Sequence, residues 1–272
     1  MVKVVRVLVL PLALLLSLLM APTANAATTP LPNSMAALGD SITQATNVAY
    51  WYGDHPADSW STGNSSSDGV YSQYERLVKV NTAMTSHGYN DAVSGARASG
   101  LSTQVQKALA QKPGYVTLLI GANDLCTSST STMTSAGDFN IKVSAALAAL
   151  HSGLPNARIF ESSIPNIYQL WSVQRGNWVA RSVWSAAGIC PSMLASANTE
   201  TTRQKVVARE GEFNRSLSLV CAKYPRCRWD GGATYSYKFS ASQISVLDYF
   251  HPSLSGQAAL AQVTWSRSWW GA

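Results

Sequence analysis

Three short stretches hold residues able to activate a serine hydroxyl. The first is Gly39-Asp40-Ser41-Ile42-Thr43, where an apolar run gives way to turn-forming residues. The second is Gly121-Ala122-Asn123-Asp124, directly after the apolar Thr117 to Ile120, and the third is Asp248-Tyr249-Phe250-His251-Pro252. A serine is a poor nucleophile unless a base takes its proton, a third group holds that base in one tautomer, and fixed donors meet the developing oxyanion. Of the four histidines, His87 and His151 close helical patterns just before a glycine, where the helix dipole favours them, and His55 sits in a polar loop. His251 differs: Asp248, three residues earlier, can reach back in a turn to its ring, and Pro252 presets the helix that follows. Asn123 ends a strand apolar enough to be buried on both faces, so its amide can donate into the crevice at that end of the sheet. Gly95 offers a backbone N–H at the end of the preceding strand. Alone, each stretch also reads as ordinary structure: Asp40-Ser41 as a turn, Asp248 as a helix cap, each glycine as a turn residue. Together, and in this order, they are far rarer by chance.

The elements that must position these residues alternate in period. Strand-like runs at Met35 to Leu38, Asp91 to Val93, Tyr115 to Ile120 and Arg158 to Ser162 are separated by helical patterns, which predicts an α/β fold with a parallel central sheet. Tyr74, Leu77, Val78 and Met84 predict a helix from about Ser72 to Ser86. Phe139, Val143, Leu147 and Leu150 predict a second, Val206 to Val220 a third and Leu254 to Trp265 the last. In open parallel sheets ligands gather at the carboxyl ends of the strands, where Ser41 and Asn123 would project. Residues 47–69 and 164–197 are longer than ordinary connections and are expected to shape a substrate site.

Residues 1–26 read as a signal peptide: Lys3 and Arg6, an apolar Val7 to Met20, then Ala24-Asn25-Ala26 before cleavage near Ala26-Ala27. Residues 27–272 are expected to form a single domain, secreted and extracellular, acting as a monomer. A net charge of +6 over a chain with only 12% charged residues, without basic blocks, argues against a nucleic-acid partner. Four cysteines behind an export signal favour two disulfides. Three pairings are open; Cys221–Cys227 and Cys126–Cys190 are the favoured ones. No C-x-x-C or H-E-x-x-H appears, so neither a metal nor another cofactor is expected.

With no G-x-S-x-G elbow, the chain does not resemble an α/β-hydrolase. Gly39-Asp40-Ser41-Ile42, Gly95, Gly121-x-Asn123-Asp124 and Asp248-x-x-His251-Pro252 instead resemble the four sequence blocks of the SGNH, or GDSL, hydrolases, across nearly all of the chain after residue 26. Trp60-Ser61-Thr62-Gly63, Asn90 to Ala98 and Leu118 to Cys126 are similar to its phospholipase B-like branch. The resemblance implies a flavodoxin-like three-layer α/β/α sandwich, with Ser41 as nucleophile, His251 as general base and acid, and Asp248 as its orienting carboxylate. It also implies an oxyanion hole from the N–H groups of Ser41 and Gly95 and the Asn123 amide. The expected activity is hydrolysis of carboxylic esters, with lipid or phospholipid acyl esters leading and transient contact with a lipid interface. The alternatives are a polysaccharide O-acetyl esterase and a non-catalytic surface- or carbohydrate-binding protein on the same scaffold. Trp51, Trp60, Trp171, Trp178 and Trp184 read either as walls of an acyl groove or as ordinary packing.

Overall fold

A computed structural model describes residues 1–4 and 29–271. Most of the expected signal segment, with its cleavage site, lies outside the described residues. The chain runs β1 (Met35–Gly39), α1 (Gln73–Val80), β2 (Gly88–Asn90), α2 (Leu101–Gln111), β3 (Tyr115–Leu119), α3 (Ala122–Leu125), α4 (Ala136–Gly153) and β4 (Arg158–Glu161). It continues through α5 (Ile167–Gln174), α6 (Trp178–Ala187), α7 (Pro191–Leu194), α8 (Glu200–Cys221), β5 (Cys227–Trp229), α9 (Ala233–Ser236) and α10 (Leu254–Trp265). The strands form one parallel sheet in the order β2-β1-β3-β4-β5.

Alternation along the strands divides the core between the two faces of the sheet. Met35, Tyr115 and Phe160 pack with Tyr74 and Leu77 of α1 and with the C-terminal tryptophans. Gln73 of α1 donates to Thr264 of α10 at 3.0 Å, so these two helices lie side by side. On the opposite face Leu38, Val116 and Leu118 pack with α2, α4 and α8, where Phe139 and Phe213 stack at 3.9 Å. The result is the expected three-layer α/β/α arrangement. Among the described residues, no helix is long and apolar enough to cross a membrane.

Several elements differ from their sequence-based expectation, each for a local reason. The second strand is Gly88–Asn90 and not Asp91 to Val93, although the Asp91 and Val93 N–H groups still donate to Ala37 and Gly39 of β1. β2 and β5 are edge strands, short and partly exposed, so they lack the continuous apolar signature of a buried parallel strand. The Ser72 to Ser86 helix stops at Val80, because Asn81 turns extended and its side chain caps a separate 3₁₀ turn, Thr82–Met84. Residues 164–197, expected to be a long excursion, are largely helical: Asn166 and Asn177, which resemble loop residues in composition, are the N-caps of α5 and α6.

Candidate active site

The strand order builds the site. β1 lies between β2 and β3, so the turn after β1 carries Ser41 between the loop after β2, which holds Gly95, and the short helix α3 after β3, which holds Asn123. This is the point where the sheet's connections reverse direction, and a crevice opens there.

The serine turn is held from both sides. Gly39 has φ +152°, and a side chain there would collide with the Leu119 carbonyl and with Thr43. Buried Gln104 of α2 grips the Gly39 peptide at both ends, accepting from its N–H at 2.8 Å and donating to its carbonyl at 2.9 Å. Gln257 of α10 donates to the Ile42 carbonyl at 2.8 Å. Asp40 is fully buried and accepts from the Ile42 N–H at 3.0 Å, while its other oxygen has no partner among the described residues. Burial pushes its carboxyl up to about 7, against the opposing pull of that N–H.

Ser41, His251 and Asp248 come together. Ser41 Oγ lies 2.8 Å from His251 Nε2, and His251 Nδ1 lies 2.6 Å from Asp248 Oδ2. Burial acts to raise the Asp248 carboxyl, but the His251 ring, the Asn47 amide and the His251 N–H outweigh it and hold it below its ordinary value. An ionised carboxylate only accepts, so Nδ1 carries the ring proton and Nε2 is left to accept from the serine hydroxyl. Asp248 Oδ1 accepts from the N–H groups of Phe250 at 2.8 Å and His251 at 2.9 Å, which closes the turn that fixes carboxylate and imidazole together. The other histidines have different neighbours: His55 meets the Trp51 carbonyl and His87 the Ala83 carbonyl, while His151 packs on Tyr224.

Gly95 and Asn123 line the same cleft as Ser41 and His251. Gly95 has φ +79°, and among the described residues neither its N–H nor that of Ser41 has a protein acceptor. Asn123 donates one amide hydrogen to the Ala96 carbonyl at 3.0 Å and keeps the second. Asp124 binds the two loops together by accepting from the Ala98 N–H at 2.9 Å and from Thr134 at 2.7 Å.

A sequence profile for the GDSL-like lipase/acylhydrolase family matches residues 35–263. The chain belongs to this family. As a GDSL-like acylhydrolase it is a carboxylic ester hydrolase. Its fold is similar to that of a candidate GDSL-like lipase from Parabacteroides merdae, with TM-score 0.54 and 17% identity, covering 88% of this chain and 97% of the other. It is also similar to phospholipase A1 from Streptomyces albidoflavus, with TM-score 0.53 and 17% identity, covering 86% and 99%. An acetyl xylan esterase, AlAXEase, aligns with TM-score 0.53 and 15% identity, covering 85% and 98%. At such identities the likeness is one of fold. No curated protein matches the chain significantly.

In this acylhydrolase the cysteines pair as Cys126–Cys190 and Cys221–Cys227. The first bridge forms part of the cleft wall and fastens the segment after Asn123 to the α6–α7 connection. Thr46, Asn47, Tyr52 and Ser94 make part of the cleft's lining polar. None of the five tryptophans lines it: Trp60 and Trp184 are buried in packing, Trp171 lies against Arg203 and Arg175, and Trp51 and Trp178 are exposed.

Three residues of the site region have no counterpart in the sequence reasoning. Asn47 donates to Asp248 Oδ2 at 2.7 Å, on the same oxygen that receives His251. It also closes the loop bearing Tyr50, Trp51 and Tyr52, its N–H meeting the Gly53 carbonyl and its side-chain oxygen accepting from the Gly53 N–H, each at 2.8 Å. Gln104 and Gln257 are the others, and a glutamine in an apolar helix stripe such as Leu101, Gln104, Val105, Ala108 was a readable signal.

Proposed function

We propose that residues 27–272 form a secreted esterase, acting as a monomer, that cleaves lipid or phospholipid acyl esters through an acyl-serine intermediate. The observation that carries this reading is the continuous hydrogen-bond chain from Ser41 through His251 to Asp248, beside two N–H groups that have no acceptor among the described residues. Ser41 Oγ attacks the ester carbonyl carbon as its proton passes to His251 Nε2. The carbonyl oxygen becomes an oxyanion that meets the Ser41 and Gly95 N–H groups and the second Asn123 hydrogen. Collapse breaks the bond to the alcohol, which leaves with the proton from His251. A water deprotonated by the same nitrogen then attacks the acyl-serine, and the acid departs as Ser41 recovers its proton. Asp248 keeps its charge throughout and stabilises the imidazolium. The disulfides and the likeness to a phospholipase A1 support a secreted lipid esterase.

A polysaccharide O-acetyl esterase is the second reading. Tyr50, Trp51 and Tyr52 are exposed in sequence beside the cleft lining, where aromatic rings can stack on sugars, and an acetyl xylan esterase shares the fold. Hydrolysis of p-nitrophenyl esters of increasing chain length, set against acetylated xylan, separates the two. In either case Ser41→Ala lowers kcat/KM by at least ~10³-fold with an unchanged melting curve. Retained turnover in that variant would exclude Ser41 as nucleophile.

A further inference from the structure

Over most of the surface, exposed large hydrophobic side chains occur one to an element, as with Val80 on α1, Ile141 on α4 and Leu219 on α8, and such scatter is ordinary. At the mouth of the cleft they gather. Tyr50 and Trp51 are 88% and 75% exposed and lead into Tyr52, which lines the cleft. Val246, 73% exposed, precedes the lining residue Leu247, and exposed Val93 precedes the lining residue Ser94. The Tyr52 hydroxyl donates to the Leu247 carbonyl at 3.3 Å, which ties two of these segments into one rim.

The rings are held outward by the backbone beneath them. Asn47 and Gly53 close the loop at its base through two hydrogen bonds of 2.8 Å, the His55 N–H meets the Gln44 carbonyl at 3.0 Å, and buried Val48 roots the loop. Tyr50 and Trp51 therefore stay in water, at a standing cost that a partner covering them would remove. Aromatic rings alone would also suit a sugar. The aliphatic Val93 and Val246 cannot stack on one, whereas a bilayer interface takes both kinds of side chain. Charge gives the second argument: residues 164–199, whose α6 supplies Val183 and Ala187 to the cleft wall, contain exposed Arg175 and Arg181 and no aspartate or glutamate. Exposed Trp178 opens that helix. Asp54, the carboxylate nearest the loop tip in sequence, is taken up by the hydroxyls of Thr46 and Ser94. A basic rim of this kind, set with apolar side chains, is complementary to an anionic lipid surface.

We propose that this rim is a docking surface for an anionic lipid interface: the Tyr50-Trp51 tip and Val246 enter the headgroup layer, Arg175 and Arg181 meet the lipid phosphates, and the cleft opens onto the ester bonds. The proposal deepens, and rests on, the reading of the substrate as a lipid ester. It gives the tip no part in the chemistry, so docking and the reaction at Ser41 separate by measurement.

The test is co-sedimentation with vesicles of phosphatidylglycerol and phosphatidylcholine in equal parts, in a Ser41→Ala background so that the lipid is not consumed. The chain partitions onto these vesicles, and the double substitution Tyr50→Ser, Trp51→Ser lowers the partition coefficient at least ~tenfold with an unchanged melting curve. Replacing Arg175 and Arg181 by glutamine lowers it at least ~fivefold, and added salt acts in the same direction. Val246→Ser, on the other rim segment, lowers it at least ~threefold, and this measurement decides should the loop variant fail to fold. With Ser41 intact, the loop variant keeps kcat/KM on soluble p-nitrophenyl acetate within ~twofold of wild type. Absence of vesicle binding, or binding within ~twofold of the parent in the folded loop and Val246 variants, overturns the docking surface and leaves the serine esterase standing. Equal binding to phosphatidylcholine alone overturns the assignment to an anionic interface. Retention on insoluble xylan that the loop variant loses, without vesicle binding, overturns the lipid partner in favour of a polysaccharide. Turnover retained in Ser41→Ala overturns the mechanism and not the docking surface.

Discussion

Asn47 is a further anchor of the Asp248–His251 pair, beside the backbone N–H groups of Phe250 and His251, and replacing it gives a sharp expectation. Its amide donates at 2.7 Å to the Asp248 oxygen that also receives His251 Nδ1 at 2.6 Å, and Asp248 is only 4% exposed. A hydrogen bond to a buried charge is worth ~1.5–3 kcal/mol. If the transition state feels all of it, kcat falls by about tenfold to ~150-fold. Asn47 has φ 55°, so alanine would add backbone strain, whereas Asn47→Gly removes the amide and accepts that conformation. Stopped assays on a soluble ester, with a thermal melt alongside, should show the loss in kcat with KM nearly unchanged. Because the amide helps hold the Asp248 carboxyl below its ordinary value, the acid side of the rate profile should also move to higher pH. Asn47→Asp, which sets a second carboxylate against Asp248, should lose more than the glycine variant. A well-folded Asn47→Gly enzyme within ~twofold of wild-type kcat would refute the reasoning.

In wild type, kcat/KM should rise from acid toward neutral pH, since His251 Nε2 must be free of a proton to take one from Ser41; a flat profile in initial-rate measurements would count against this base. Asp40 holds its proton up to about 7 when folded against 3.8 for the ordinary group, so folded-state stability should decline as pH rises across that window and level off above it. Buried Glu161, with no partner for either oxygen among the described residues and Asp230 as a like charge nearby, acts in the same direction above 4.5. Glu161→Gln should therefore melt higher than wild type at alkaline pH, with the gap closing near pH ~4. Opening Cys126–Cys190 by paired serine substitution should cost about 4 kcal/mol in denaturant unfolding, against about 2 kcal/mol for Cys221–Cys227, because the sequence separations are 64 and 6.

What could be read from the sequence follows burial. β1, β3 and β4 lie inside the sheet, and their runs of buried residues stand out in composition. The edge strands β2 and β5 do not, and α2 escaped notice because its buried face includes Gln104 among Leu101, Val105 and Ala108. α5 and α6 were hidden by their own caps, since asparagine and serine mark helix starts as readily as loops. Ser41, Asn123, Asp248 and His251 were conspicuous because each sits in a short local pattern at an element's end. Asn47 carries no such pattern. Its partner Asp248 is 201 residues away, and only the folded chain brings them together.

The most direct test of the proposed mechanism is covalent capture. A p-nitrophenyl alkylphosphonate, which reacts with an activated serine and cannot be turned over, should leave one adduct per chain, located by peptide mass spectrometry on Ser41. Labelling should be absent in Ser41→Ala and strongly slowed in His251→Ala. Inactivation with the adduct on another residue, or continued hydrolysis by unlabelled enzyme after prolonged exposure, would contradict the account.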